Sequence, residues 1–114
     1  MNRNLDRETI TNGKTMAIVA YLTIIGFIVA YIINRDKDNS FTKYHLRQGL
    51  GVGLSAIIAP MFAPLGLGLG AVLSSLLGLL CLVMLITGVI NAANGQTKPV
   101  IALGQFFEEW FEGI

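Results

Sequence analysis

From Leu50 to Thr97 the chain carries no aspartate, glutamate, lysine or arginine. A fold surrounded by water cannot easily hide so long an uncharged stretch, because its surface must be solvated by charges that are simply missing here. An ordinary soluble domain devotes about 25% of its residues to charge; this chain has 13% charged and 54% hydrophobic residues. Most of its surface therefore faces something other than water, and two membrane crossings account for the gap. At 114 residues the chain holds one domain. A net charge of +1 offers no basic field for nucleic acid. Cys81, the single cysteine, excludes an intramolecular disulfide and a cysteine-based zinc site, and it packs as a small hydrophobe within its apolar run.

A third apolar run precedes the charge-free stretch. Met16 to Ile33, MAIVAYLTIIGFIVAYII, would reach about 27 Å as a helix, close to the hydrocarbon thickness of a bilayer. It is longer than the apolar part of a cleaved signal peptide, and no small-x-small site follows it. Before it, residues 1–15 read as a polar lead, with Thr11 or Asn12 as helix cap and Asn12-Gly13 as a turn-prone pair. Residues 34–43 form a hydrophilic connector. Asp36, Asp38 and Ser40 open like a calcium loop, but Phe41 and Arg47 occupy the positions that need glycine and glutamate. Ser40 is the expected cap of the second helix, whose end is set by Pro60 and Pro64; the glycine-rich 63–70 makes the next turn. Three spans follow, at about 16–33, 42–60 and 71–92, with the termini on opposite sides of the membrane. Small residues four apart, such as Gly49 and Gly53 or Gly70, Ser74 and Gly78, allow such helices to approach closely.

The tail from Pro99 has another pattern. Leu103, Phe106, Phe107, Trp110, Phe111 and Ile114 fall at helical spacing, opposite Gln105, Glu108, Glu109 and Glu112. That predicts an amphipathic helix over 99–114, too short to span, with Trp110 at headgroup depth. Phe106, Phe107, Trp110 and Phe111 are its candidate contacts with a partner or with the interface.

Catalysis finds little support. His45 is the only histidine, no carboxylate lies inside an apolar run, and neither a Ser-His-Asp set nor a phosphate-binding loop stands out. No metal and no cofactor is expected. Tyr44, Arg47 and Gln48 share one helix face and His45 flanks it, at the mouth of the second helix. His45 and Gln48 are expected to reach Asn91 or the backbone near it, tying the start of the second helix to the end of the third and presenting Arg47 outward.

AYLTIIGFI, then F-x-x-Y-H-x-R-Q entering a helix, then GVINAANGQ-x-x-x-P, make a pattern over Met16 to Pro99. It resembles a small bacterial membrane family of unknown function related to the Tic-twenty-like component of the chloroplast inner-envelope import machinery. His45, Gln48, Asn91, Ala92, Gly95 and Pro99 carry the resemblance, which implies a link to protein transport. The chloroplast relatives are thought to have four helices, where this chain offers three and an amphipathic tail.

The fold class expected is all-α: an integral three-helix membrane bundle over 16–98, preceded by the polar segment 1–15 and followed by the interfacial helix 99–114. Its function is that of a non-enzymatic accessory or interaction subunit of a larger membrane complex, in the inner (cytoplasmic) membrane and multi-pass. Its partners are the lipid bilayer and other integral membrane proteins or further copies of itself. A self-assembled channel or carrier is the alternative, short of polar residues to line a lumen. A small enzyme acting on lipid headgroups comes last, for want of a nucleophile or metal set.

Overall fold

The first apolar run does not form one helix. At its middle the N–H groups of Tyr21 and Leu22 turn back to the carbonyls of Ile18 and Val19, at 3.0 and 3.1 Å. Thr23 is fully extended, and its hydroxyl accepts the N–H of Gly26 to start a new helix. A threonine flanked by apolar residues is thus a helix start rather than a mid-helix hydroxyl.

The computed structural model describes residues 6–66 and 68–114. Among these the chain is all-helical: α1 Arg7–Val19, α2 Ile24–Lys37, α3 Ser40–Ile58, α4 Leu69–Ala93 and α5 Gly104–Trp110, with a 3₁₀ turn Ala59–Phe62 extending α3. Asp6 caps α1 by accepting the Thr9 N–H at 2.8 Å, so the helix runs straight through Asn12-Gly13, where a turn was expected. Residues 1–5 of the polar lead, and Leu67 of the 63–70 turn, lie outside the described residues. Asp38, in the left-handed region, ends α2, and Asn39 rather than Ser40 caps α3. The Asn39 side chain does two things at once: Oδ1 accepts from the Thr42 N–H, and Nδ2 donates to the Thr9 carbonyl on α1.

These contacts set the directions. α1 runs beside α3 in the same sense, with Gly13 against Thr42 and Ala20 against Gly49. α2 returns between them in sequence to close a helical hairpin, and its Phe27 and Ala30 pack with Ala20 and Leu46. α4 then descends past α1, Gly88 meeting Tyr21 and Gly95 meeting Ile10. A second and larger cluster joins Tyr21, Phe41, Val52, Cys81, Met84, Val100 and Phe107. The molecule measures 53 × 23 × 21 Å. The hairpin covers only part of that length, its tip lying beside Gly49, Gly53 and Cys81.

Two expectations are corrected. Among the described residues one helix, α4, is long and apolar enough to cross a membrane, so the three-span bundle is not established. The 16–33 run is split by its Thr23 cap, and the first turns of α3 carry Lys43, His45, Arg47 and Gln48. The start of α1, the α2–α3 corner and the segment after α4 also meet at one end of the molecule, because α1 and α3 are parallel. All the charged residues described are at that end. At the other, the last turns of α3, its 3₁₀ turn and the start of α4 bear none.

Candidate functional site: a buried polar knot

His45 and Gln48 are wholly buried at the charged end. His45 Nε2 lies 2.8 Å from the Gln96 carbonyl, which can only accept, so Nε2 carries the proton. The bare Nδ1 then accepts the Tyr21 hydroxyl at 2.6 Å. Tyr21, Phe41 and Tyr44 pack edge-on around the ring, with centroids 4.8 to 5.5 Å away. With one ring nitrogen donating and the other accepting, His45 is an uncharged strut.

Gln48 binds three groups of the tail. Its Oε1 accepts the Val100 N–H at 2.8 Å, and its amide donates to the Gly104 carbonyl at 2.8 Å and to Glu108 Oε2 at 2.6 Å. Both amide protons are used, so the side chain cannot turn without breaking a bond. Arg47 follows it: Nη1 reaches Glu108 Oε1 at 3.3 Å and Nη2 donates to the Glu112 carbonyl at 3.0 Å. Burial raises the Glu108 carboxyl to about 6, with Gln48 and Arg47 working in the opposite direction. Arg47 was expected to point outward; it is folded onto the tail instead, its side chain only 15% exposed.

Asn91 takes no direct part in these bonds. Its Nδ2 donates to the Lys98 carbonyl at 3.1 Å, closing the turn that leaves α4. His45, Gln48 and Asn91 therefore grip one length of backbone, 96–104, from two sides. The polar atoms of that segment have no helix to satisfy them, and buried backbone groups need partners. The knot supplies them.

The tail helix is also shorter than the 99–114 expected. A turn at Ile101–Leu103, with Ala102 at φ 72°, precedes α5, which holds only Gly104–Trp110. Its aromatic residues divide. Phe107 is buried against Gly51, where any side chain would strike the ring, whereas Phe106 and Trp110 stack on each other at 5.5 Å and face outward. Phe111 is half-buried. Tyr21, Gly104 and Glu108 belong to the knot and were not singled out from sequence. For Glu108 the only available signal was an acid one position from the most buried tail aromatic, since amphipathic spacing places it on the wet face.

Among the described residues no three His, Cys, Asp or Glu side chains group closely enough to hold a metal ion. An apolar cleft of about 420 Å³ opens between the hairpin tip, α3 and α4, lined by Tyr21, Thr23, Gly53, Ala56, Gly78 and Leu82 among others.

The family model of the magnetosome magnetite crystal formation proteins, MamF/MmsF, matches residues 12–106. The chain belongs to the MamF/MmsF family. The match runs from α1 into α5 and so includes the whole knot except Glu108 and Glu112. It overturns the resemblance to the Tic-twenty-like family, and the expected link to protein transport goes with it: short polar motifs at helix ends, set in generic apolar sequence, did not discriminate between membrane families. No curated protein and no solved structure matches the chain. Family membership, the uncharged 25-residue α4 and the apolar residues it leaves exposed make this MamF/MmsF member a membrane-associated protein.

Proposed function

We propose that the chain is a non-enzymatic membrane subunit that packs with other membrane proteins or with itself, and that it serves the formation of magnetite crystals named in its family's description. One contrast carries this reading. The buried polar side chains are spent on fixing the chain's own backbone, while a wide apolar exterior is left uncovered: Ile25, Ile28 and Ile32 on α2, and Val72, Leu76, Leu79, Ile86 and Ile90 on α4. A subunit that presents a rigid apolar outer face to lipid or to neighbours needs both features.

In this reading α4 crosses the bilayer, and α3, joined to it at the uncharged end, crosses alongside. The α1–α2 hairpin enters from the charged end and turns back inside the membrane. The apolar Ile24–Ile33 part of α2 rises about 15 Å, half of the ~30 Å hydrocarbon layer. Phe106 and Trp110 then sit at the interface, as aromatic residues do.

The test is a magnetite-forming cell lacking its own family member, supplied with this chain. Recovery of crystal size by electron microscopy, together with a stoichiometric integral membrane partner or homo-oligomer after mild detergent extraction, is the expected result. Conductance of the pure protein in liposomes would replace this reading with the channel.

A further inference from the structure

The corner between α2 and α3 carries a small cleft of about 180 Å³, lined by Tyr31, Asn34, Arg35, Asp38, Lys43, Leu46 and Ile114. Its lining is mixed: Asn34, Arg35, Asp38 and Lys43 are polar, and Ile114 packs on the Leu46 cluster. Two cations border it. Lys43 is held by Asp38 at 2.7 Å, an exposed pair that uses one of three ammonium donors. Arg35 is exposed and makes no hydrogen bond or ion pair within the described residues, leaving its whole guanidinium fork available. A cleft this small admits a phosphoryl group and not a larger solute.

A second observation says what the phosphoryl group is attached to. Ile25, Ile28, Ile32 and Arg35 follow one another at spacings of 3, 4 and 3, so they line a single face of α2. All three isoleucines are exposed, Ile25 to 70%. From Ile25 to Arg35 is about 15 Å, the depth of one leaflet. An apolar track one leaflet deep, ending in an exposed guanidinium beside a cleft, has the dimensions of a phospholipid. Tyr31, stacked on Phe27 at 6.1 Å, stands beside the track at the level where tail becomes headgroup.

We propose that this corner binds one anionic phospholipid, its phosphate held by Arg35 and Lys43 and its acyl chains along Ile25, Ile28 and Ile32. Lys43 keeps Asp38 while donating a second bond to the phosphate, and Arg35 supplies the bidentate contact. The site rests on the membrane placement of α2 proposed above.

The full chain, purified in detergent, is titrated with phosphatidylglycerol and separately with phosphatidylcholine, and retained lipid is read by native mass spectrometry. One phosphatidylglycerol is retained in preference to phosphatidylcholine. Arg35→Gln and Lys43→Gln each lower that preference by about fivefold. Lys98→Gln, which removes a cation from the same end but outside the cleft, leaves it unchanged. Arg35 makes no hydrogen bond or ion pair among the described residues, so its variant melts like the parent and its loss reads binding alone. Millimolar inorganic phosphate does not displace the lipid, because it has no chains for the isoleucine track. Equal loss in Lys98→Gln would reduce the effect to general surface charge, and displacement by phosphate would make this a free-phosphate site; either overturns the proposal. Equal retention of the two lipids would sink the site and spare the membrane reading, whereas retention of neither would sink both.

Discussion

The two ends of the molecule are built on different principles. At the charged end lie the five buried polar residues among those described, Asn34, Thr42, His45, Gln48 and Asn91, each bonded to backbone. At the uncharged end the last turns of α3, the 3₁₀ turn and the first turns of α4 hold together without one. There the Ser55 hydroxyl bonds to its own helix, at the Gly51 carbonyl. Met61, Leu65, Leu69, Val72 and Leu76 stay exposed there. Directional bonds fix a unique arrangement where α1, α2, α5 and the irregular 96–104 segment must all be seated. Where only two helices meet, close packing and an apolar surrounding are enough. Mutations should therefore be far more costly at the first end than at the second.

The sharpest way to break this comparison is at Gly49. A side chain there runs into the Ala20 backbone at the end of α1, which cannot step aside. Gly49→Leu should cost more than about 3 kcal/mol, read as a large fall in melting temperature by circular dichroism in detergent. A variant that melts like the parent would show that α1 is not locked to α3.

Gln48→Ala comes next. It strands the Val100 N–H, the Gly104 carbonyl and one oxygen of Glu108. A loss of about 2–4 kcal/mol is expected, with early exposure of the tail to protease. Cleavage at the parental rate would mean the knot does not hold α5.

The knot should also make the charged end sensitive to pH. Glu108 is raised to about 6 from 4.5, so its contribution is present below 4.5 and lost as pH rises through 6. Stability should therefore fall by about 1 kcal/mol as pH rises through that window, less than the full linkage because solvent screens the carboxyl. Glu108→Gln should flatten the fall. Melting curves across pH 4 to 7 read it, and an unchanged slope in the variant would contradict the assignment.

The smallest effect belongs to the uncharged end. A Cβ at Gly78 meets nothing within 4 Å. Gly78→Ala should be neutral or stabilise by up to about 1 kcal/mol through helix propensity alone. A marked loss would reveal a neighbour packed there, which in the intact membrane would be another subunit.

Much of the helical architecture was legible. α3 and α4 start and stop within about two residues of the capping and proline signals, because an unbroken apolar run has few alternatives to a helix. The first run was misread because Thr23 has two uses in a helix, as an N-cap or as a hydroxyl bonded to its own backbone, and periodicity does not distinguish them. The tail was misread for a related reason. Amphipathic spacing assigned Glu108 to water, yet Gln48 and Arg47, sixty residues earlier, draw it inside.

By itself the sequence determined that the chain is helical, apolar and free of charged residues from Leu50 to Thr97. Those properties follow from composition and local pattern, which act within a few residues. Only the tertiary structure decided that the first run folds back as a hairpin, that the start of α1 and the tail share an end, and that His45 and Gln48 seat the 96–104 backbone. Each of these depends on which distant group satisfies a polar atom. A buried donor takes whichever acceptor the packing brings near, and no pattern in the neighbouring sequence encodes which one that is.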